Sequence, residues 1–356
     1  MNFDLTEERQ MLQDTLRRYL RDKYTTSVRN DILNSDAGMS TGIWAELAEL
    51  GVLGALFTED QGGFGGAGFD IAVVFEELGR AGVVEPVLDS ALMGGRLLAA
   101  AGKMDMVDNV IAGTLQLAVA HAEPGGRYDL DHVLTQADGG ALTGRKAVVM
   151  NAESADHLIV SARDGDAIAF YLVARDAPGV DIQGYPLLAG GRAAEVTLDK
   201  APGIPLGLGL AEYERINALA LVAISAEALG AMESATVLTK DYLMTRKQFG
   251  RPIGTFQALA HRMSDLLIEL EQVRSAVINA AGNLDASDCD LHLSATKNLI
   301  GRAGRLVAEE AIQMHGGIAM TQEYELAHIA KRIIMADHRF GDTDYHLERF
   351  IALSAA

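Results

Sequence analysis

The stretch that decides the fold is Tyr242-Leu-Met-Thr-Arg-Lys-Gln-Phe-Gly-Arg-Pro-Ile-Gly-Thr-Phe-Gln257, in which a helical pattern meets a loop rich in glycine and proline. Those two residue types predict that the helix is interrupted after Phe249. Arg246, Lys247 and Arg251 add positive charge to a chain whose formal net charge is −19. Such cations can complement the end of a helix dipole, or they can bind phosphate oxygens, which a guanidinium matches in shape. The residues alone leave both interpretations open.

The chain on both sides of this stretch is predicted to be helical, from about Leu210 to its end. Apolar residues recur downstream at helical spacing; they are Met263, Leu266, Leu267, Leu270, Val273 and Val277. Upstream, residues 216–232 are mostly apolar, although the run contains Ser225 and Glu227. This run is shorter than the roughly 20 residues that cross a bilayer, so we expect a buried helix rather than a membrane span. Asp290 is predicted to cap the helix that follows.

Two further segments of this helical region attract attention. Gln313-Met-His-Gly-Gly317 ends a predicted helix with adjacent glycines, which can either cap the helix or let the backbone approach a ligand closely. Phe340-Gly-Asp-Thr-Asp-Tyr345 is a polar turn that opens the last helix. Asp342 or Thr343 in this turn can serve simply as the N-cap of that helix.

The middle of the chain has a different period. Short runs rich in valine, isoleucine, leucine and alanine are separated by glycine, aspartate and proline; they lie at 115–121, 142–149, 157–162, 167–173 and 193–198. Several short strands at regular spacing predict an all-β module.

The first third reads again as helices, with Thr6 as an N-cap, a second helix at 41–50 and a third starting near Asp70. We therefore predict an N-terminal helical domain at 1–112, a central β domain at 113–205 and a C-terminal helical bundle domain at 206–356. Helices, then strands, then helices, without alternation of the two, argue against a doubly wound nucleotide-binding fold.

Composition excludes several classes of function. A net charge of −19 argues against binding a nucleic-acid backbone or an anionic membrane. The single cysteine, Cys289, excludes an internal disulfide and a zinc site built from several cysteines. Histidines and carboxylates show no metal-binding spacing, so no metal site is predicted. The N-terminus has no basic-then-apolar signal, and we expect a cytoplasmic protein.

Taken together with the Pro124-Gly-Gly126 loop after the first β run, these segments resemble the acyl-CoA dehydrogenase family over essentially the whole chain. Residues 242–257 resemble its YxxxRxxFGxxxxxFQ signature and residues 313–317 its Q-x-x-GG segment. Residues 340–345 lie where the family's active-site turn precedes the final helix. In several details the chain most resembles the small subunit of pimeloyl-CoA dehydrogenase and related bacterial partners.

The resemblance implies the family fold: an N-terminal helical domain, a central β domain and a C-terminal four-helix domain. It also implies an FAD cofactor between the β domain and the last helical domain, with the adenosine half reaching a neighbouring subunit. By similarity, the cofactor-binding residues are Arg246, Phe249, Gln257, Gln313, Gly316, Gly317 and Thr343, together with backbone groups of Ala120 and Ala122. A site shared between chains implies a homo- or hetero-oligomer.

The match is weaker in the β domain. Where the family often has TEPGAGSD, this chain has Ala122-Glu-Pro-Gly-Gly-Arg-Tyr-Asp129, and Val148, Val149 and Met150 replace the family's Trp-Ile-Thr. Backbone contacts do not depend on particular side chains and can survive this change. We expect an altered environment for the flavin ring.

The catalytic base has two candidates. Removing an α proton from a thioester requires a carboxylate close to it. Most family members carry that glutamate immediately before the glycine of the active-site turn, where this chain has Gly341 followed by Asp342. A minority carry it on an earlier helix, directly before an arginine, and Glu214-Arg215 lies at the matching place. We favour Glu214, with Asp342 second and a subunit without its own base as the third possibility. Glu214 is also an ordinary residue for a first helical turn.

The resemblance implies α,β-dehydrogenation of an acyl-CoA thioester, in which the base removes the α proton, flavin N5 accepts hydride from the β carbon, and an electron-transfer flavoprotein accepts the electrons. One alternative is a non-catalytic partner of a second acyl-CoA dehydrogenase subunit. Another is a flavin oxidase or desulfinase on the same fold.

Overall fold

The computed structural model describes residues 5–355 of the chain. Before the sheet it has α1 (Glu7–Lys23), α2 (Thr26–Leu33), α3 (Thr41–Glu49), α4 (Gly68–Ala81), α5 (Gly95–Ala100) and α6 (Met104–Ile111), with a π-helix at Val87–Gly94. After the sheet it has α7 (Leu210–Thr245), α8 (Gln257–Gly282), α9 (Cys289–His315), α10 (Glu325–Asp337) and α11 (Thr343–Ser354). Short 3-10 helices lie at Gly54–Leu56, Glu59–Gln61, Ile253–Thr255 and Gly316–Met320.

Along the chain, the strands of the sheet come after the first group of helices and before the second. They are β1 (Leu117–Ala120), β2 (Gln136–Asp138), β3 (Ala141–Met150), β4 (His157–Asp164), β5 (Ala167–Ala174), β6 (Val180–Pro186), β7 (Arg192–Pro202) and β8 (Ile204–Pro205). A separate hairpin of β9 (Lys247–Gln248) and β10 (Arg251–Pro252) follows α7. The predicted order of helices, β module and helices is confirmed.

The sheet has the order β6-β7-β3-β2-β4-β5-β8, and β1 adds to β4 in parallel. Its buried face is built from small and branched apolar residues such as Leu142, Leu158 and Val196. The five predicted strands are present as β1, β3, β4, β5 and β7. The sequence did not indicate β6, because most of its side chains are exposed and it lacks an apolar run.

Local signals located several helix starts. Thr6 accepts a hydrogen bond from the Arg9 N–H as the N-cap of α1, and Ser40 does the same for Ile43 in α3. The prediction for Asp290 was wrong, because α9 begins at Cys289 and Asp290 lies inside its first turn. An acidic side chain is favourable at either position, so sequence cannot separate the two.

The predicted length of α7 was also wrong, because the helix runs for 36 residues. By length and composition alone it could cross a membrane, and 83% of its most apolar 18-residue window is buried inside the protein. A mostly buried helix is what a protein core requires, so the interpretation as a buried helix still holds. The apolar run underestimated its length because polar turns at both ends continue the helix.

The chain divides into two compact units. The first comprises the residues up to Arg29, Gly68–Val83 and the residues from Leu221 onwards, and the second comprises Asn30–Ala67 and Val84–Ala220. Residues 1–4 and 356, which belong to the predicted domain ranges, lie outside the described part. The predicted boundaries after 112 and 205 remain predictions.

Within the first unit, α9 packs against α8, α10 and α11, and α4 packs against α1 and α8. Arginines and glutamates link these helices: Arg17 binds Glu77 at 2.6 Å, and Arg80 binds Glu76 at 2.8 Å and also Glu233. Burial and the nearby Glu233 raise the pKa of Glu76 to about 7. This network links helices of the first unit through glutamates that are largely buried.

Candidate functional site

The loop after β1 carries the first predicted cofactor-binding positions. Ala120 is buried at the end of the strand, where it pairs with Val160 of β4. Ala122 lies two residues further on and is exposed. Its carbonyl accepts a hydrogen bond from the N–H of Ala147, 2.9 Å away. The main chain at Ala122 is therefore both fixed and accessible, as a backbone contact to a ligand requires.

A buried ion pair underlies this loop. Lys146 Nζ donates to Glu123 Oε1 at 2.6 Å, to Ser161 Oγ at 2.9 Å and to the carbonyl of His121 at 3.2 Å. Glu123 also accepts hydrogen bonds from the N–H groups of Leu134 and Thr135. Both charged side chains are almost fully buried.

Burial removes both ions from water at a cost in desolvation energy. Their mutual attraction and the additional hydrogen bonds offset this cost. Burial lowers the pKa of Lys146 to about 8, and Glu123 opposes the shift. Sequence reasoning did not assign a role to this pair. The signal for this buried pair in the sequence was Lys146, a charged residue inside the run predicted as a strand at 142–149.

The residues that replace the family's Trp-Ile-Thr form an irregular part of β3. Val148 has φ of 52° and is 55% exposed, although valine rarely adopts left-handed backbone angles. The register of β3 with β7 shifts between Lys146 and Val149. A bulge therefore places an aliphatic side chain at the surface here. The altered flavin environment stays a prediction.

Glu214 lies in the first turns of α7 and is exposed. Its carboxylate forms no hydrogen bond or ion pair with any residue in the described range. Capping of α7 is instead carried out by Glu212, whose Oε2 accepts from the N–H of Gly209 at 3.0 Å. The Glu214 carboxylate is therefore exposed and not engaged by any described residue.

The hairpin after α7 presents the next predicted residues. Arg246 accepts the N–H of Ile253 with its carbonyl, while its exposed guanidinium binds no described residue. Phe249, with φ of 53°, stands 91% exposed at the tip of the hairpin. Gln257, the first residue of α8, is also exposed. The left-handed backbone at Phe249 is strained for a residue with a side chain, and the hairpin holds that ring in solvent.

The glycine pair lies beside this hairpin, because Tyr242 near the end of α7 stacks on His315 at the end of α9, with ring centroids 4.5 Å apart. Gln313, Gly316 and Gly317 are exposed. A Cβ added to either glycine would meet no atom within 4 Å. The structure thus brings these residues to the same end of the first unit as Arg246 and leaves the space before the glycines open.

The turn between α10 and α11 holds Asp342 in a structural role. Its Oδ1 accepts the N–H of Tyr345 at 2.9 Å, which makes Asp342 the N-cap of α11. Thr343 Oγ1 donates to Asp337 Oδ1, and the Thr343 carbonyl accepts from Asn298. The side chains of Asp342 and Thr343 are therefore both engaged within the chain.

Gly341 is a requirement of this turn. It has φ of 110°, and a Cβ there would lie 2.5 Å from His346 Nε2 and from Tyr345 Cδ1. A glutamate at the family's usual base position does not fit this geometry. Buried Lys297 fixes the turn further, since its Nζ donates to the carbonyls of Asp337 and Gly341 at 2.7 and 2.8 Å.

Burial shapes the titration of the groups around the turn. It lowers the pKa of Lys297 to about 8 and, together with the nearby Lys297 charge, lowers the pKa of His346 to about 4. His346 Nε2 lies 3.0 Å from the carbonyl of Phe340. A neutral histidine donating to that carbonyl agrees with this low pKa.

Several of the predicted cofactor-binding positions are chemically compatible with FAD. A guanidinium that binds no described residue and an open glycine pair suit a pyrophosphate and an adenosine, and the fixed, accessible backbone at Ala122 suits a flavin edge. Thr343 differs, because its hydroxyl already binds Asp337. No group of three or more histidine, cysteine, aspartate or glutamate side chains in residues 5–355 is arranged to hold a metal ion.

A cavity of about 520 Å³ in the first unit contains none of the predicted site residues. Its lining includes Arg17, Tyr24, Arg29, Ser234 and His328.

Comparison with protein-family models matches two parts of the chain. Residues 6–114 match acyl-CoA dehydrogenase, N-terminal domain, and residues 214–352 match acyl-CoA dehydrogenase, C-terminal domain. Acyl-CoA dehydrogenase IpdE2 of Mycobacterium tuberculosis is 30% identical over 331 residues, which cover 92% of this chain and 91% of that protein.

Solved structures agree with these matches. The Tcur3481–Tcur3483 steroid ACAD superposes with a TM-score of 0.91 at 30% identity, covering 98% of both chains. A chain of the ChsE4–ChsE5 complex from Mycobacterium tuberculosis has a TM-score of 0.91 at 24% identity over 100% of this chain and 99% of its own. The second likeness supports the fold.

Proposed function

Because the chain belongs to the acyl-CoA dehydrogenase family, we propose that it oxidises an acyl-CoA thioester between its α and β carbons, with FAD as cofactor. The observation that carries this proposal is the pair of carboxylates: Glu214 is exposed and binds no described side chain, whereas Asp342 caps a helix. FAD, when bound, accepts the hydride that leaves the β carbon.

The residues of this chain would hold the cofactor in two parts. The exposed backbone at Ala122 would face the flavin, while Ala120 is buried in β1 and would support this loop from within the sheet. Arg246, Phe249 and Gln257 would meet the pyrophosphate and adenosine. Gln313, Gly316 and Gly317 would complete the adenosine side. The exposed tip of the hairpin supports a site to which a neighbouring subunit contributes, because Phe249 is 91% exposed and makes an edge contact with Phe256.

Glu214 would act as the general base. The α carbon–hydrogen bond breaks, the proton passes to the Glu214 carboxylate, and the electron pair forms the new carbon–carbon double bond as hydride leaves the β carbon. A positioned base of this kind contributes typically about 10²- to 10⁴-fold to a rate. In this proposal Asp342 holds the turn and takes no proton.

We further propose a hetero-oligomer with a second acyl-CoA dehydrogenase subunit, and an electron-transfer flavoprotein as acceptor. The paired names of the Tcur3481–Tcur3483 and ChsE4–ChsE5 structures support the first part. The resemblance to the small subunit of pimeloyl-CoA dehydrogenase belongs to the same proposal, as does a cytoplasmic location.

The test is anaerobic titration of the protein, purified with its partner chain, by straight-chain, dicarboxylyl and steroid side-chain CoA thioesters. We expect flavin absorbance to bleach with at least one of them and to return on addition of an electron-transfer flavoprotein. Oxygen consumption without that acceptor measures oxidase activity. Absence of bound FAD, or flavin that no thioester bleaches, contradicts the proposal.

A further inference from the structure

We propose that a buried aromatic stack of His121, Tyr213 and Phe170 positions the Glu214 carboxylate relative to the loop at Ala122. This inference rests on the function proposed above, and it adds positioning residues to it. In the sequence, His121 directly precedes Ala122 of the predicted flavin-facing loop, and Tyr213 directly precedes the proposed base Glu214. The stack therefore joins the predicted flavin-facing loop to the turn that carries the proposed base.

The three rings pack closely and away from water. The centroids of His121 and Tyr213 are 4.2 Å apart, and those of Phe170 and Tyr213 are 5.3 Å apart with nearly parallel planes. Their exposed fractions are 6%, 5% and 0% for His121, Tyr213 and Phe170. Aromatic pairs in this range contribute about 0.5–1.5 kcal/mol beyond the burial of their area. Such a stack resists small displacements of either end.

Hydrogen bonds fix both ends of the stack in the second unit. At one end, Lys146 Nζ donates to the carbonyl of His121, and the His121 ring contacts Ser161 Oγ through Nδ1 at 3.0 Å. At the other end, Phe170 donates its N–H to the carbonyl of Leu208 and accepts the N–H of Leu206. The segment that leads into α7 is thus bound to β5 through both the N–H and the carbonyl of Phe170.

Among the described residues, the Glu214 carboxylate has no hydrogen-bond or ion-pair partner that would set its position. Its place therefore depends on how the first turns of α7 are held. Tyr213 is the buried side chain next to it in those turns. A displacement of about 1 Å at a reacting group can cost about 10²-fold in rate. Loss of the stack would therefore slow proton removal.

The stack stays uncharged over the working range of pH. Burial, followed by the nearby Lys146 charge, lowers the pKa of His121 to about 4. A neutral imidazole packs against a phenol ring without carrying an ion into the interior. This agrees with a structural role for the ring and with proton transfer by Glu214 alone.

The experiment measures the first-order rate constant for anaerobic bleaching of FAD by an acyl-CoA thioester, in holoenzyme with its partner chain. This constant does not depend on the fraction of protein that is active, so mere destabilisation leaves it unchanged. The variants are Tyr213→Leu, Tyr213→Phe and Phe170→Leu. Val173→Ala is the matched control, because Val173 is fully buried in the same strand and points to the opposite face from Phe170.

We expect Tyr213→Leu to lower the rate constant about 100-fold and Phe170→Leu about tenfold, with substrate affinity and FAD content close to those of the wild type. Tyr213→Phe restores the ring and should restore the rate. The isotope effect with α-deuterated substrate should persist or grow in the slow variants, since proton removal is the step impaired. If Tyr213→Leu folds poorly, the test is the comparison of the rate constant of Phe170→Leu with that of the control Val173→Ala.

Glu214→Gln separates failure of this inference from failure of the proposed function. Bleaching at the wild-type rate in Glu214→Gln shows that Glu214 is not the base, and the proposed mechanism then falls. A slow Glu214→Gln beside wild-type rates in Tyr213→Leu and Phe170→Leu overturns the stack alone. Equal slowing by Tyr213→Phe and Tyr213→Leu also overturns it, because the ring would then not be what matters.

Discussion

The first turns of α7 and the turn between α10 and α11 offer the two competing carboxylates in opposite circumstances. Glu214 is exposed and unengaged, on a helix whose capping is already provided by Glu212. Asp342 is itself the cap of its helix, in a turn that Lys297 fixes by donating a hydrogen bond to the carbonyl of Gly341. Both residues are ordinary in their sequence contexts. What differs is whether the fold already uses the carboxylate.

This difference teaches that two carboxylates with similar local sequence contexts can have different uses in the fold. At Gly341 the left-handed backbone, His346 and Tyr345 occupy the space that a side chain would need. The turn is therefore optimised for packing rather than for proton transfer. The proposed mechanism therefore assigns proton removal to a carboxylate elsewhere, Glu214 of α7.

The largest expected effect comes from Glu214→Gln, which keeps size and polarity but cannot take a proton. We expect the rate of flavin bleaching to fall by about 10²- to 10⁴-fold, the usual contribution of a general base. Stopped-flow absorbance of the reconstituted holoenzyme measures it. Asp342→Asn is the control and should retain nearly the full rate, since asparagine caps a helix about as well as aspartate. If Asp342→Asn bleached the flavin slowly and Glu214→Gln bleached it at nearly the full rate, Asp342 would be the base instead of Glu214.

Gly341→Glu should destabilise the protein without restoring the family's usual base. The new Cβ meets His346 and Tyr345 at 2.5 Å, and overpacking of this kind costs about 1–3 kcal/mol, with about 1–3 kcal/mol more for the left-handed backbone. Thermal or chemical denaturation checks the stability. Higher activity in Gly341→Glu/Glu214→Gln than in Glu214→Gln alone would show that the turn can still host a base.

Lys297→Met should cost about 1–3 kcal/mol for each of the two buried carbonyls left without a donor. The effect should depend on pH in a defined direction. Burial lowers the pKa of Lys297 from its ordinary 10.5 to about 8, so between these values the unfolded chain binds the extra proton. The wild type should therefore gain stability as pH rises from about 8 towards 10.5, and the neutral amine still donates to the carbonyls. Lys297→Met should lack this part of the gain, which denaturation at several pH values measures.

The smallest effect is expected from Asp342→Ala, which removes the cap of α11 at a cost of about 1 kcal/mol in the free energy of unfolding. Asp342→Asn is the matched variant and should lose almost nothing. The comparison of their unfolding midpoints isolates the cap from the charge. If alanine and asparagine behave alike, the hydrogen bond to Tyr345 does not stabilise the turn.

Sequence patterns gave the order of helices and strands because apolar periodicity reflects which face of each element is buried. The same patterns underestimated α7 and overlooked β6, where exposed residues continue an element that other contacts stabilise. Fold and family could be predicted together, since the motif at 242–257 and the glycine pair at 316–317 lie at family spacing.

The predicted site residues are only partly explained by sequence. Arg246, Gln313 and the glycines lie at one end of the first unit because Tyr242 stacks on His315, a contact between residues far apart in the chain. The ion pair of Lys146 and Glu123 was missed for the same reason. Neither residue indicates a buried pair until β3 brings them together.

The amino-acid sequence alone determined the succession of elements, the family and the identity of the two candidate carboxylates, because these depend on local periodicity and on motif spacing. Only the tertiary structure decided which carboxylate is free. Whether a carboxyl group caps a helix or faces solvent depends on the N–H groups and rings that distant segments place beside it. The engagement of Asp342 and the freedom of Glu214 are properties of that packing.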